Sequence, residues 1–153
     1  MKSERQNPGE RVAPADLALG VELPTSSAQT PAQARSRVRA WLSASKQCAE
    51  DVINTAELLV SELVSNAIRH TRARSVRIAL ARYGPRVRVG VEDPDGHLVG
   101  PPPPAPSQNF LHGRGLWLID QLASRWGSHP RADGKVVWFE LECPETEEDL
   151  VGG

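Results

Sequence analysis

The chain has 153 residues, 24% of them charged, a formal net charge of −1 and two cysteines. This length suits one domain with a sizeable core, and near-neutrality gives no overall pull towards nucleic acid or acidic membranes. No apolar run approaches a membrane span, and the polar start Met1–Gln6 does not read as a signal peptide. Cys48 and Cys143 are too few and too isolated for a disulfide framework or a metal cluster. Together these features predict a cytoplasmic protein with two ordinary thiols and no membrane or nucleic-acid partner.

Residues 1–16 are polar, carry Pro8, Gly9 and Pro14, and read as a disordered N-terminal segment. Leu17 to Leu23 reads as an edge strand ended by Pro24. Thr30-Pro31 is the pattern of an N-cap followed by proline at the first helical position. The helix it opens runs to about Ala44, with Ala34, Val38, Trp41 and Leu42 inward and Arg35, Arg37 and Arg39 mostly towards solvent. A second helix spans about Glu50 to His70, because Val52, Ile53, Ala56, Leu59, Val60, Leu63, Val64 and Ala67 recur at three- and four-residue steps.

Ser75 to Ala81 alternates, with Val76, Ile78 and Leu80 on one face and Arg77 on the other. After a turn at Gly84-Pro85, Val87, Val89 and Val91 alternate against Arg86, Arg88 and Glu92. The two runs predict a hairpin whose strands are each buried on one face. Residues 94–112 form a long irregular stretch, extended as polyproline II at Pro101 to Pro104; a loop this long is functional or disordered. Gly113-Arg114-Gly115 opens a third helix, to about Ala123. Trp126 to His129 and Val136 to Glu142 read as the last strands, joined through Asp133-Gly134, and residues 144–153 as an acidic flexible tail. This order predicts an α+β two-layer sandwich over residues 17–143, its sheet mostly antiparallel with helices on one face.

Three places carry candidate chemistry. Glu62, Asn66 and His70 lie four apart and line one edge of the central helix. Asparagine is a poor residue for a helix interior, so Asn66 marks either a polar site beneath that helix or a solvated helix edge. Asp93 continues the phase of Val87, Val89 and Val91, so its side chain points into the apolar layer, where a carboxylate needs a partner. The alternative is a strand-ending aspartate that caps the Pro94-Asp95 turn. Gly113-Arg114-Gly115-Leu116 lets backbone approach a ligand at the free N–H groups of a helix start, or marks that start alone.

Glu62-Leu63-Val64-Ser65-Asn66-Ala67-Ile68-Arg69-His70 resembles the N box of the GHKL ATP-binding superfamily. Within that superfamily it is most similar to the small bacterial anti-sigma-factor serine kinases and their short actinomycete relatives. Gly113 to Leu116 resembles the second glycine box, and Gly134-Lys135-Val136-Val137-Trp138-Phe139-Glu140 the closing strand. The resemblance covers roughly residues 17 to 142.

It implies the ATP-binding sandwich, with ATP and Mg²⁺ as cofactors. Asn66 would offer an oxygen to Mg²⁺, and Glu62 would act as general base, or orient the attacking hydroxyl, in phosphoryl transfer to serine. Asp93 would accept from the adenine amino group. Gly113, Arg114, Gly115 and Leu116 would meet the triphosphate beneath a lid of residues 94–112. The implied partners are a sigma factor and an anti-anti-sigma protein of STAS type, and such kinases often act as homodimers. The chain departs from the pattern at Asp95 and His97, where the family has glycines. It departs again at Val136, where the family's threonine hydroxyl would touch the nucleotide. Lys135 either faces phosphate or is a solvated turn residue.

Two other functions compete with kinase activity. An ATP-dependent binding module without phosphotransfer fits residues 94–112, which contain no Lys or Arg, though it leaves Glu62 without a purpose. A polyanion binder would use Arg69, Arg72, Arg74, Arg77, Arg82, Arg86 and Arg88; near-zero net charge and the lack of interleaved aromatics favour a solvated sheet face instead.

Overall fold

The computed structural model describes residues 17–44, 48–95 and 114–143. In chain order these form β1 (Leu17–Pro24), α1 (Thr30–Ala44), α2 (Glu50–His70), β2 (Ser75–Tyr83), β3 (Arg86–Asp93), α3 (Arg114–Leu122), β4 (Arg125–Arg131) and β5 (Gly134–Glu142). The expected terminal segments, Gly113, and residues 96–112 of the expected lid lie outside the described residues.

All five strands form one sheet in the order β1-β2-β3-β5-β4, each neighbouring pair antiparallel. The helices pack against it, and the expected α+β sandwich is the observed one. Val76, Ile78 and Leu80 of β2, Val87, Val89 and Val91 of β3, and Val137, Phe139 and Leu141 of β5 are all buried in a single core. Against them α2 sets Ile53, Ala56, Val60, Leu63 and Val64, which is why its apolar residues repeat with the helical period. α1 adds Ala34, Val38 and Leu42, and α3 adds Ile119. The β2–β3 hairpin turns at Gly84, whose φ of 60° favours a residue without a Cβ.

Some expectations required correction. The Thr30 hydroxyl does not cap α1; it donates to the Pro24 carbonyl at 2.5 Å, tying the helix start to the end of β1. Arg35 and Arg39 do not simply face solvent. Arg35 donates to the Ser61 hydroxyl at 2.7 Å. Arg39 donates to Glu57 at 2.9 and 3.0 Å, to Glu50 at 2.7 Å and to Asn54 at 2.7 Å, strapping α1 across about two turns of α2. Its hydrogen bonds to Glu57 and then Glu50 hold its guanidinium further above the usual arginine range.

The two thiols are not independent either. Cys48, just before α2, and Cys143, just after β5, are joined as a disulfide with Cα atoms 5.3 Å apart. Their separation of 95 residues carries no signal of this proximity; only the packing of α2 on β5 creates it.

Candidate nucleotide-binding site

The site is built where α2 and β3 end. Thr71, immediately after α2, donates its hydroxyl hydrogen to Asp93 Oδ1 at 2.6 Å. The same oxygen accepts from the Asp95 backbone N–H at 2.9 Å, so Asp93 does cap the Pro94-Asp95 turn. Asp93 is only 3% exposed, and its other oxygen, Oδ2, is buried without a hydrogen-bond partner. An orphaned carboxylate oxygen costs on the order of 1–3 kcal/mol or more. It suits an incoming N–H donor, such as an adenine amino group. The turn-capping reading of Asp93 therefore holds for Oδ1, and Oδ2 is left without a partner.

Asn66 and Glu62 precede Thr71 by five and nine residues, about 7.5 and 13.5 Å back along the helix at 1.5 Å per residue. Both are half-buried, and neither makes a side-chain hydrogen bond or ion pair with a described residue. His70 is exposed at the end of α2, where with Arg69 it places basic side chains at the negative end of the helix dipole. Among the described residues no group of three or more His, Cys, Asp or Glu is arranged to hold a metal. A metal here would lean on phosphate oxygens and on Asn66, which is a fitting donor set for Mg²⁺.

Arg114, Gly115 and Leu116 form the first turn of α3, the helix start the sequence predicts, whose first N–H groups have no partner within the helix. At the opposite end of α3, Leu122 shares a shallow cavity with Asp51, Val52 and Thr55 from the first half of α2.

The closing strand corrects two expectations. In the β3–β5 pairing Asp93 stands opposite Lys135, whereas Val136 stands opposite Glu92. Val136 thus lies on the other face of the sheet from Asp93, so its missing hydroxyl removes no contact on Asp93's side. Lys135 is not a solvated turn residue: it is 6% exposed and lines a cavity of about 410 Å³ with Asp93, Pro94, Val76 and Ser75. Thr71 and Lys135 are the site residues that sequence reasoning passed over or misplaced. A hydroxyl directly after the N-box helix, and a lysine register-paired with Asp93, were the available signals.

The arginine-rich segment does not make one basic stripe. Arg82 is buried and donates to the Cys143 carbonyl at 3.1 Å. Arg77 pairs with Glu92 at 3.3 Å, and Arg88 with Glu140 at 2.8 Å while stacking on Trp138, 4.0 Å from the ring centroid.

The domain is an antiparallel α+β sandwich with a helix end and a buried, half-satisfied aspartate at one rim. Residues 23–141 match the histidine kinase-like ATPase domain, and the chain belongs to that family. Among solved structures it is similar to the RsbU and RsbW domains of Rv1364c from Mycobacterium tuberculosis, with 21% identity and a TM-score of 0.61. That likeness covers 82% of this chain and 32% of the other, so the chain spans about a third of that relative's length. No curated protein matches it. No described helix is long and apolar enough to cross a membrane.

Proposed function

We propose that the protein is a Mg-ATP-binding regulator that acts as an anti-sigma-factor serine kinase. In this reading it holds a sigma factor and phosphorylates a serine of a STAS-type anti-anti-sigma partner. Family membership supports ATP as the ligand, and the structural neighbour, which includes an RsbW domain, favours a partner-switching system. The single observation that carries the nucleotide reading is Asp93 Oδ2, buried and unpartnered beside a cavity.

Each residue then has a task. Asp93 Oδ2 accepts the adenine amino hydrogen while Thr71 and the Asp95 N–H hold its other oxygen. Asn66 contributes its amide oxygen to Mg²⁺. The first turn of α3, from Arg114 through Gly115 to Leu116, and Gly113 before it offer N–H groups and charge to the triphosphate. Glu62, one turn before Asn66, takes the proton of the attacking serine hydroxyl or orients it. Mg²⁺ held there would supply charge neutralisation at the phosphate oxygens.

Calorimetric titration of ATP, with and without Mg²⁺, into the wild type and Asn66→Ala tests the site. Mg²⁺-dependent binding that the variant loses is the expected result. Wild-type protein that ignores ATP at concentrations saturating related ATPase domains would sink the proposal. ATP binding without phosphorylation of any STAS-type partner would leave a nucleotide-gated binding module.

A further inference from the structure

Lys135 is an unusual cavity residue. The residue is nine-tenths buried, and its side chain makes no hydrogen bond or ion pair with any described residue. An ammonium carries three donors and no acceptor, and those of Lys135 remain open to a ligand in the cavity. The cavity's other carboxylates do not serve it. Glu92 is paired with Arg77 and Arg131, Glu22 accepts from the Ser75 hydroxyl at 3.2 Å, and Asp133 is exposed in the turn.

Its nearest counterpart by register is Asp93, directly opposite in the β3–β5 pairing. Opposed residues leave the same face of a sheet with Cβ atoms about 5 Å apart. The backbone around them is fixed closely: Gly134 has a φ of 150°, and a Cβ there would lie 2.7 Å from Pro94 Cα. One rim of the cavity therefore presents an unused donor, Lys135, beside an unused acceptor, Asp93 Oδ2.

Adenine carries the complementary pair on one edge, a donor at the 6-amino group and an acceptor at ring nitrogen N1. We propose that Lys135 is a specificity-determining residue that donates to adenine N1 while Asp93 Oδ2 accepts from the 6-amino group. The assignment rests on the ATP reading above and deepens it. Guanine reverses both groups: its 6-oxygen would face the Asp93 carboxylate and its N1–H the ammonium. The pair thus selects adenine by attraction and rejects guanine by repulsion.

The test is calorimetric titration of ATP, 1-deaza-ATP (a C–H in place of N1) and GTP into wild type, Lys135→Met and Lys135→Gln, with folding checked by circular dichroism. Wild type is expected to bind ATP about tenfold tighter than 1-deaza-ATP, the usual scale of one charged hydrogen bond. Lys135→Met should lose about that factor for ATP and stop distinguishing the two, and Lys135→Gln, which keeps an N–H donor, should recover part of it. Equal wild-type affinity for ATP and 1-deaza-ATP overturns the assignment while leaving the ATP reading intact, and so does GTP binding as tightly as ATP. The wild-type comparison decides the matter even should Lys135→Met fail to fold. Failure of the wild type to bind either adenine nucleotide removes both readings together.

Discussion

Thr71 Oγ1 donates to Asp93 Oδ1 at 2.6 Å, so the end of the N-box helix and the end of the central strand share one carboxylate. Thr71 Oγ1 in turn accepts from the Ala73 N–H at 3.0 Å, and Thr25 Oγ1 donates to the Ala73 carbonyl at 2.7 Å. This short network fixes which Asp93 oxygen is used internally and which is left for a ligand.

Asp93→Asn separates the two oxygens' duties. The amide oxygen can still accept from Thr71 and the Asp95 N–H, so the fold should persist with little change in Tm. Its NH₂ would replace Oδ2 and meet the adenine amino group donor to donor. ATP affinity should fall at least tenfold, read by calorimetry beside a thermal melt. Unchanged ATP affinity would remove Asp93 from the site.

Thr71→Val removes the hydroxyl and keeps the shape. It should cost about 1–2 kcal/mol in urea unfolding, since it leaves Asp93 Oδ1 with one partner fewer. It should also weaken ATP binding by a smaller factor than Asp93→Asn, because it loosens the acceptor without reversing it. A Thr71→Val protein that binds ATP as tightly as wild type would deny Thr71 this positioning role.

Glu62→Gln keeps the size of the side chain and removes its basicity. Mg-ATP affinity should change by less than about twofold, whereas phosphotransfer to a STAS-type substrate should drop by roughly two orders of magnitude or more. A variant that transfers phosphate at the wild-type rate would show that Glu62 is not the base.

His129 predicts a pH dependence that no nucleotide enters. Burial, then the charges of Arg131 and Arg88, lower its pKa below the usual 6.5. The unfolded chain therefore takes up the proton first as acid is added. The stability His129 supports is complete above about pH 6.5 and is lost as the pH falls through its lower folded-state value. Thermal melts from pH 7.5 downwards should show a falling Tm, and His129→Gln should flatten that part of the slope. An equal slope in the variant would assign the effect to other groups.

The Cys48–Cys143 disulfide closes a long loop, with a sequence separation of 95. In the chain-entropy account such a crosslink stabilises by about 4–5 kcal/mol. Added reductant, or Cys143→Ser, should lower the urea midpoint strongly, and alkylation of unreduced protein should find no free thiol. Two alkylated cysteines in the native protein would argue against the crosslink.

The secondary structure was legible because the chain states its periods clearly. α2 repeats at helical steps and β2 and β3 alternate, so elements and faces could be read together, Asp93's inward direction included. β5 was different: Val136, Val137, Trp138 and Phe139 are all buried, and a strand apolar on both faces has no readable phase. That is why the sequence leaves Lys135 open between phosphate and solvent and does not show that Val136 lies on the face away from Asp93. Arg39 and the disulfide escaped for another reason: their partners are distant in sequence, and an arginine on a helix reads as solvated until a second helix supplies carboxylates. Asn66 and Glu62 stood out only as a resemblance, since their spacing alone fits an ordinary helix edge.

The antiparallel register that sets Asp93 against Lys135 is a ruler independent of the chain between them. Closing a longer excursion costs only logarithmically more entropy. The segment leaving β3 can therefore lengthen, shorten or change composition while the two polar groups keep their spacing. On the adenine-reading proposal, a rim clamped by strand pairing lets such a domain acquire new triggers and partners without rebuilding its nucleotide pocket.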